Sequence, residues 1–254
     1  PPAFRGAGVG IAIAVKLTPV VFLGYFVWCK QWRSVALAAA AAICCSGLAE
    51  LVIPRSNADY WHWLSTNAES IGRFDFVSNQ SFRGLAARIW GSSPQAVLAW
   101  VLCCLAVAVV ATVALSRLAR ADFLDRLQAF TVIAIAGLLV APIAWSHHWT
   151  IIIVVGAFAV VSPDSRTRIA SWALWLVAFG GVFWFAGGSP VGFLRGWPAD
   201  VLVSNALVLA GFAWLCACAL GVKHRHCAPR LPRGDGQYQA AEQHSEHHRT
   251  GPAR

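Results

Sequence analysis

Two adjacent histidines in the stretch VAPIAWSHHWTIIIV, Val140 to Val154, stand out first. An imidazole donates or accepts a hydrogen bond when neutral and carries charge when protonated, and a lipid-facing helix uses neither property. Lys16, in GIAIAVKLTPVV, is a second ionisable group inside an apolar run. Ionisable side chains at such depth face a cavity or a partner and mark functional sites by default. The plainer alternatives are a lysine that snorkels to the interface and histidines that cap a turn. A third concentration of polar groups lies between Pro54 and Pro94. There Asn79, Gln80 and Ser81 offer amides and a hydroxyl suited to sugar hydroxyls or to positioning the loop. Trp61 and Trp63 suit the apolar faces of a sugar or an interfacial aromatic belt. Arg83 carries the fork that grips a phosphate through two parallel hydrogen bonds.

The elements that hold these residues are membrane helices. Hydrophobic residues make up 58% of the chain and charged ones only 12%, more apolar sequence than a globule of 254 residues buries. The pattern predicts an all-α, polytopic membrane protein with about seven spans: 8–29, 34–53, 95–115, 128–145, 149–161, 169–187 and 201–221. The net charge of +9 does not point to nucleic acid, because the basic residues border the hydrophobic runs as topology signals do. CKQWR, SRLARADFLDR, SPDSRTR and KHRHCAPRLPR carry eleven lysines and arginines on alternate connections, which puts them and the C-terminus in the cytoplasm. The loop 54–94 then lies outside, with Arg5 counted on that side too. Residues 222–254 read as a disordered cytoplasmic tail. The chain begins PPAFRG and contains no methionine, so it is expected to be the C-terminal part of a longer protein.

Residues 128–161 carry no charge apart from the histidines and would run about 51 Å as one helix, against a hydrocarbon core of about 30 Å. A hairpin turning at WSHHW is therefore expected, with His147 and His148 at its outer end. Its second arm is the shorter, so the turn should be recessed in a cavity, and Pro142 favours a break just before it. On a continuous helix Lys16 would stand about 21 Å above the cytoplasmic end, within reach of the same side. SFRGLAARIW fits a short interfacial helix with Phe82, Leu85, Ile89 and Trp90 near one face. GAGVG, from Gly6, lacks a strand before it and reads as small residues for close helix packing. The cysteines within the spans behave as small apolar residues. No cofactor and no metal are expected.

The strings AVKLTP (Ala14 to Pro19), VSNQSFRG (Val77 to Gly84) and PIAWSHHW (Pro142 to Trp149), in this order, resemble the C-terminal half of glycosyltransferase family 87, over roughly residues 6–160. The resemblance implies the multi-spanning GT-C fold and an actinobacterial mannosyltransferase working outside the cell membrane. It implies a polyprenyl-phosphate-mannose donor, a mannolipid acceptor (phosphatidylinositol mannoside, lipomannan or lipoarabinomannan) and usually an α-1,2 linkage formed with inversion. It also implies a general-base aspartate in a first outer loop upstream of this chain, so that Asp59 and Asp75 are not promoted to that role and the fragment alone is expected to be inactive. The developing phosphate charge of such a donor needs cationic or hydrogen-bond-donating partners. His147, His148, Lys16 and Arg83 are the candidates, with Asn79, Gln80, Ser81, Trp61 and Trp63 toward sugar or acceptor and the apolar span walls toward the polyprenyl chain. The competing class is a multi-spanning secondary transporter with an intramembrane His/Lys site, although the ionisable residues gather at one edge and no internal repeat is evident.

Overall fold

The computed structural model of the chain describes residues 4–66, 72–120, 122–186 and 198–221. Within residues 57, 61, 64 and 65 only the backbone is described. The expected tail lies outside the described residues. Those described are helical, with no strand among them. Among the described residues three helices are long and apolar enough to cross a membrane: α3 (Trp32–Val52), α6 (Pro94–Ser116) and α7 (Phe123–Val140). Around them stand the shorter α8 (Ile152–Val161), α9 (Ser165–Phe179) and α11 (Ala206–Leu220). The chain is thus a polytopic helical membrane protein. Polar caps start several of these helices: Ser93 accepts from Ala96 N, Asp122 from Asp125 N and Asp164 from Thr167 N. Pro94 takes the first helical position of α6, where its missing N–H costs nothing.

The first expected span, 8–29, is not one helix. α1 (Ala7–Val15) stops at Lys16, whose backbone is extended, and a 3-10 turn over Thr18–Phe22 leads into the short α2 (Leu23–Trp28). The cause is Pro19, which cannot donate to the carbonyl of Val15 and whose ring crowds that same carbonyl. α1 lies along α3, with Gly6 against Ser34 and Gly10 against Ala38 so closely that a Cβ would strike backbone oxygen in both places. The small residues therefore pack helices, as the sequence suggests. The return arm runs back down α7: Val21 touches Gly137, Gly24 faces Ile133, and the Phe22 ring stacks on Phe130 with centroids 4.7 Å apart. Trp28 Nε1 then donates to Leu115 O, and Lys30, at a left-handed φ of 57°, reverses the chain into α3. Residues 4–31 form a re-entrant hairpin whose two ends sit together. Arg5 consequently stands with Gln31 and Arg126, not at the opposite end where the span count placed it.

The second expected turn is present. After α7 the chain runs irregularly from Ala141 to Trp145, then through a 3-10 segment, Ser146–Ile151, into α8. α7 packs chiefly on α6 and then α11, and α8 on α9. The last expected span is split at Asn205 into α10 (Ala199–Ser204) and α11. Arg117 and Arg166 donate to the carbonyls of Gly221 and Leu220, so the basic connections and the end of α11 gather at one end of the bundle. Lys16 and the WSHHW turn gather at the other.

Candidate functional site

Three sequence strings far apart in the chain meet at the WSHHW end. The loop Val77–Ser81 lies alongside Ala144–Ser146 as a short antiparallel bridge: Gln80 N donates to Ala144 O at 2.8 Å and Ser146 N to Ser78 O at 2.8 Å. Side chains tighten the join. Asn79 Nδ2 donates to the carbonyls of Phe74 and Pro142, and its Oδ1 accepts from Ala144 N at 2.9 Å and from Ser81 Oγ at 3.0 Å. Gln80 Nε2 donates to Val77 O and Ser204 O, while Trp149 Nε1 donates to Gln80 O at 3.2 Å. The hydroxyls of Ser78 and Ser146 meet at 2.9 Å. Asn79, Gln80 and Ser81 are each 0% exposed. Most of their polar atoms hold this frame together, Gln80 Oε1 alone among them having no partner among the described residues, and a sugar could reach them only if the join opened. Asn79-Gln80-Ser81 has the N-x-S form of a glycosylation sequon, and that burial leaves no room for a glycan on it.

On this frame the third string arrives from the re-entrant hairpin. Lys16 Nζ lies 3.1 Å from His148 Nε2. His148 Nδ1 accepts from Trp145 N at 3.2 Å, so the neutral ring keeps its proton on Nε2. An ammonium has no lone pair to receive that proton. Two donors therefore stand side by side, an arrangement that an anion hydrogen-bonded to both satisfies. The rings of His147 and His148 meet edge to face, with centroids 4.4 Å apart.

Lys16, His147 and His148, with Thr18 and Thr150, form the polar rim of a cavity of about 650 Å³. Its walls are Val21, Phe22, Phe130, Ala134, Leu138 and neighbouring aliphatic side chains of α7 and α8. A second cavity of about 490 Å³ opens on the far side of His147 beside Trp184 and Phe183. The arrangement suits a ligand with an anionic head and a long apolar body.

The other candidates lie apart. Arg83 is 7% exposed, with its guanidinium over the Phe74 ring at 4.6 Å and near Trp100. Its Nη1 has no hydrogen-bond partner, and it does not line the Lys16 cavity. Trp63 is exposed on α4 (Ser56–Thr66) and lines neither cavity, while the Trp61 side chain lies outside the described residues. α5 (Phe82–Trp90) forms as expected, capped by Ser81, yet buries Phe82, Arg83, Gly84, Ala86 and Ala87 and leaves Ile89 and Trp90 exposed. Small residues win that face because α5 lies close on the Asn79 loop: a Cβ at Gly84 would come within 2.3 Å of Asn79 O.

Arg88 escapes sequence reading and clasps the frame from behind. It donates to Phe76 O, Asn79 O and Asn205 Oδ1. Burial pulls its guanidinium down to about 10, against the opposing pull of Asp75 and Asp200, so it stays charged at neutral pH. Beside it Arg73 pairs with Asp75 at 2.7 Å. The hydrogen bond from Arg73 holds the Asp75 carboxyl below the usual carboxylate range. The only sequence signal for Arg88 is its position one helical turn beyond Gly84. Its partner Asn205 is 117 residues away.

The family model described as glycosyltransferase family 87 matches residues 1–142. The chain belongs to glycosyltransferase family 87. The matched region of this family 87 chain includes Lys16 and the Asn79 loop and ends just before the WSHHW turn. The chain is 36% identical over 151 residues (57% of this chain, 34% of the relative) to a polyprenol-phosphate-mannose-dependent alpha-(1-2)-phosphatidylinositol mannoside mannosyltransferase of Mycolicibacterium smegmatis. It is 34% identical over 146 residues, with the same shares covered, to a protein of that name from Mycobacterium tuberculosis. It is 32% identical over 182 residues (70% and 44%) to a polyprenol-phosphate-mannose-dependent alpha-(1-2)-phosphatidylinositol pentamannoside mannosyltransferase of Mycolicibacterium smegmatis. The family 87 chain thus spans less than half the length of these curated relatives. No solved structure matches it.

Proposed function

We propose that the protein carrying this chain transfers mannose from polyprenyl-phosphate mannose to a mannolipid such as a phosphatidylinositol mannoside, forming an α-1,2 linkage with inversion. The observation that carries this reading is the convergence of Lys16 and His148 at the rim of the apolar cavity. In the proposed reaction the bond between the anomeric carbon and the donor's phosphate oxygen breaks, and the acceptor oxygen bonds to that carbon from the opposite side. The acceptor's proton passes to a general base, which the family resemblance assigns to an aspartate outside this chain. The leaving phosphate gains charge as the bond breaks, and preorganised donors aimed at that charge lower the barrier. Lys16 supplies full charge, His148 its Nε2–H, and His147 a further donor at the rim.

The polyprenyl chain lies along Phe22, Phe130, Ala134 and Leu138. Asn79, Gln80 and Ser81 position the turn rather than touch sugar, because all three are fully buried in the join. Arg83 supports the same loop from beneath Phe74. The basic end of the bundle is cytoplasmic by the positive-inside rule, which places the WSHHW end and the chemistry outside, within a GT-C-type bundle.

The test gives membranes expressing the protein a labelled polyprenyl-phosphate mannose and a mannolipid acceptor. Label should move to the acceptor, and Lys16→Met or His148→Asn should each lower turnover by about 10²–10³-fold, the usual loss for one transition-state donor. No transfer by the unaltered protein, or full transfer by both variants, overturns the reading.

A further inference from the structure

The basic end of the bundle holds a cavity that the transfer reaction does not use. It measures about 360 Å³ and lies between the return arm of the re-entrant hairpin and the start of α7. Arg5 and Arg126 line it, with Gln31 and the Tyr25 ring, and the walls are completed by apolar side chains such as Phe123 and Phe130. Neither guanidinium makes an ion pair or a side-chain hydrogen bond with a described residue. The carboxylates nearest Arg126 in sequence are engaged elsewhere, Asp122 on Asp125 N and Asp125 on Ala119 N. Both arginines are exposed. Two unneutralised guanidiniums above an aromatic wall match a group that is anionic at one end and hydrocarbon at the other. Basic pockets between membrane helices take phospholipid headgroups on these terms.

We propose that this cavity binds an anionic phospholipid of the leaflet opposite the Lys16–His148 site, its phosphodiester between Arg5 and Arg126 and an acyl chain along Phe123 and Phe130. The lipid closes the gap between the hairpin and α7, and so steadies the arm that carries Lys16. Phe130 lines this cavity and the Lys16 cavity alike, which gives the contact a physical route to the site.

The experiment reconstitutes the protein carrying this chain in nanodiscs of phosphatidylcholine mixed with phosphatidylglycerol and counts retained lipids by native mass spectrometry. Phosphatidylglycerol should be retained in preference to phosphatidylcholine. Arg5→Gln with Arg126→Gln should weaken that retention about tenfold, the effect of losing a charge-assisted hydrogen bond. Lys30→Gln with Arg33→Gln, at the same end but outside the cavity, should leave it unchanged. Inorganic phosphate added in excess should not displace the lipid, because it cannot use the aromatic wall. Equal retention of the two lipids by the unaltered protein, an equal loss in both double variants, or displacement by phosphate overturns the proposal. The lipid comparison needs no variant and stands whether or not the substituted proteins are recovered.

Discussion

Lys16 and His148 each present a donor to the point that the other also addresses, so the proposed site treats them as one unit. Their substitutions should therefore not add. Lys16→Met combined with His148→Asn is expected to cost little more in kcat/KM than the worse single change, whereas independent sites would multiply; steady-state kinetics on the four proteins of the cycle decide it. Asn79 belongs to a different category of residue. Asn79→Ala strands the N–H of Ala144 and the carbonyl of Phe74, and leaves the Pro142 carbonyl only its 3.4 Å contact with the Ser81 hydroxyl. Each such group costs about 1–3 kcal/mol, so the variant should melt markedly lower in detergent. A residue that only touched sugar would lose turnover at an unchanged melting temperature. The residue types that could do this chemistry were legible in the sequence, because lysine and histidine are conspicuous among aliphatic neighbours. Which of them meet was not. Arg83 and Lys16 look equally eligible as strings, and only the placement of the Phe74 and Trp100 rings separates them.

At the scale of elements, two prolines shape the site by ending helices. Pro19 stops α1 where Lys16 leaves the helix, and Pro142 follows α7 where the chain turns toward His148. Pro19→Ala restores the missing donor and lets a helix continue through Lys16. Turnover should fall about 10²-fold while the protein still folds, since a misplacement of about 1 Å at a reacting group costs that much; turnover and melting measured side by side check it. The apolar wall gives a second expectation. Ala134→Phe fills the cavity beside Leu138, and should raise KM for a long polyprenyl donor more than for a short-chain analogue. The break after α7 was readable from the length of the apolar run, because a helix that long cannot fit the bilayer. The break at Lys16 was not, because residues 8–29 have the length of an ordinary span and composition cannot distinguish one crossing from an arm that goes in and returns. The face that α5 turns to the protein was not read from the sequence, for a related reason: close approach to the Asn79 loop selects Gly84, Ala86 and Ala87 by small size, which hydrophobicity does not mark.

At the scale of the whole molecule, the number of full crossings follows from which ends gather together. Arg5, Gln31, Arg126, Arg117 and the last carbonyls of α11 share one end, and Lys16, Ala144 and His148 share the other. Single cysteines introduced at Arg5 and Arg120 should react only with reagents that reach the cytoplasm, and one at Ala58 only with reagents outside. Labelling of Arg5→Cys from outside would show residues 4–15 crossing instead of returning. The re-entrant hairpin has a further consequence for biogenesis. A segment that enters and leaves at one face gives a translocon no crossing to stabilise, and its broken backbone near Lys16 has few partners in lipid. Its first arm finds α3 at once in synthesis, whereas the surface that receives the return arm belongs to α7, about a hundred residues later. The return arm therefore waits, loosely held, until α7 emerges, and the Lys16–His148 site is among the last features of the bundle to be assembled.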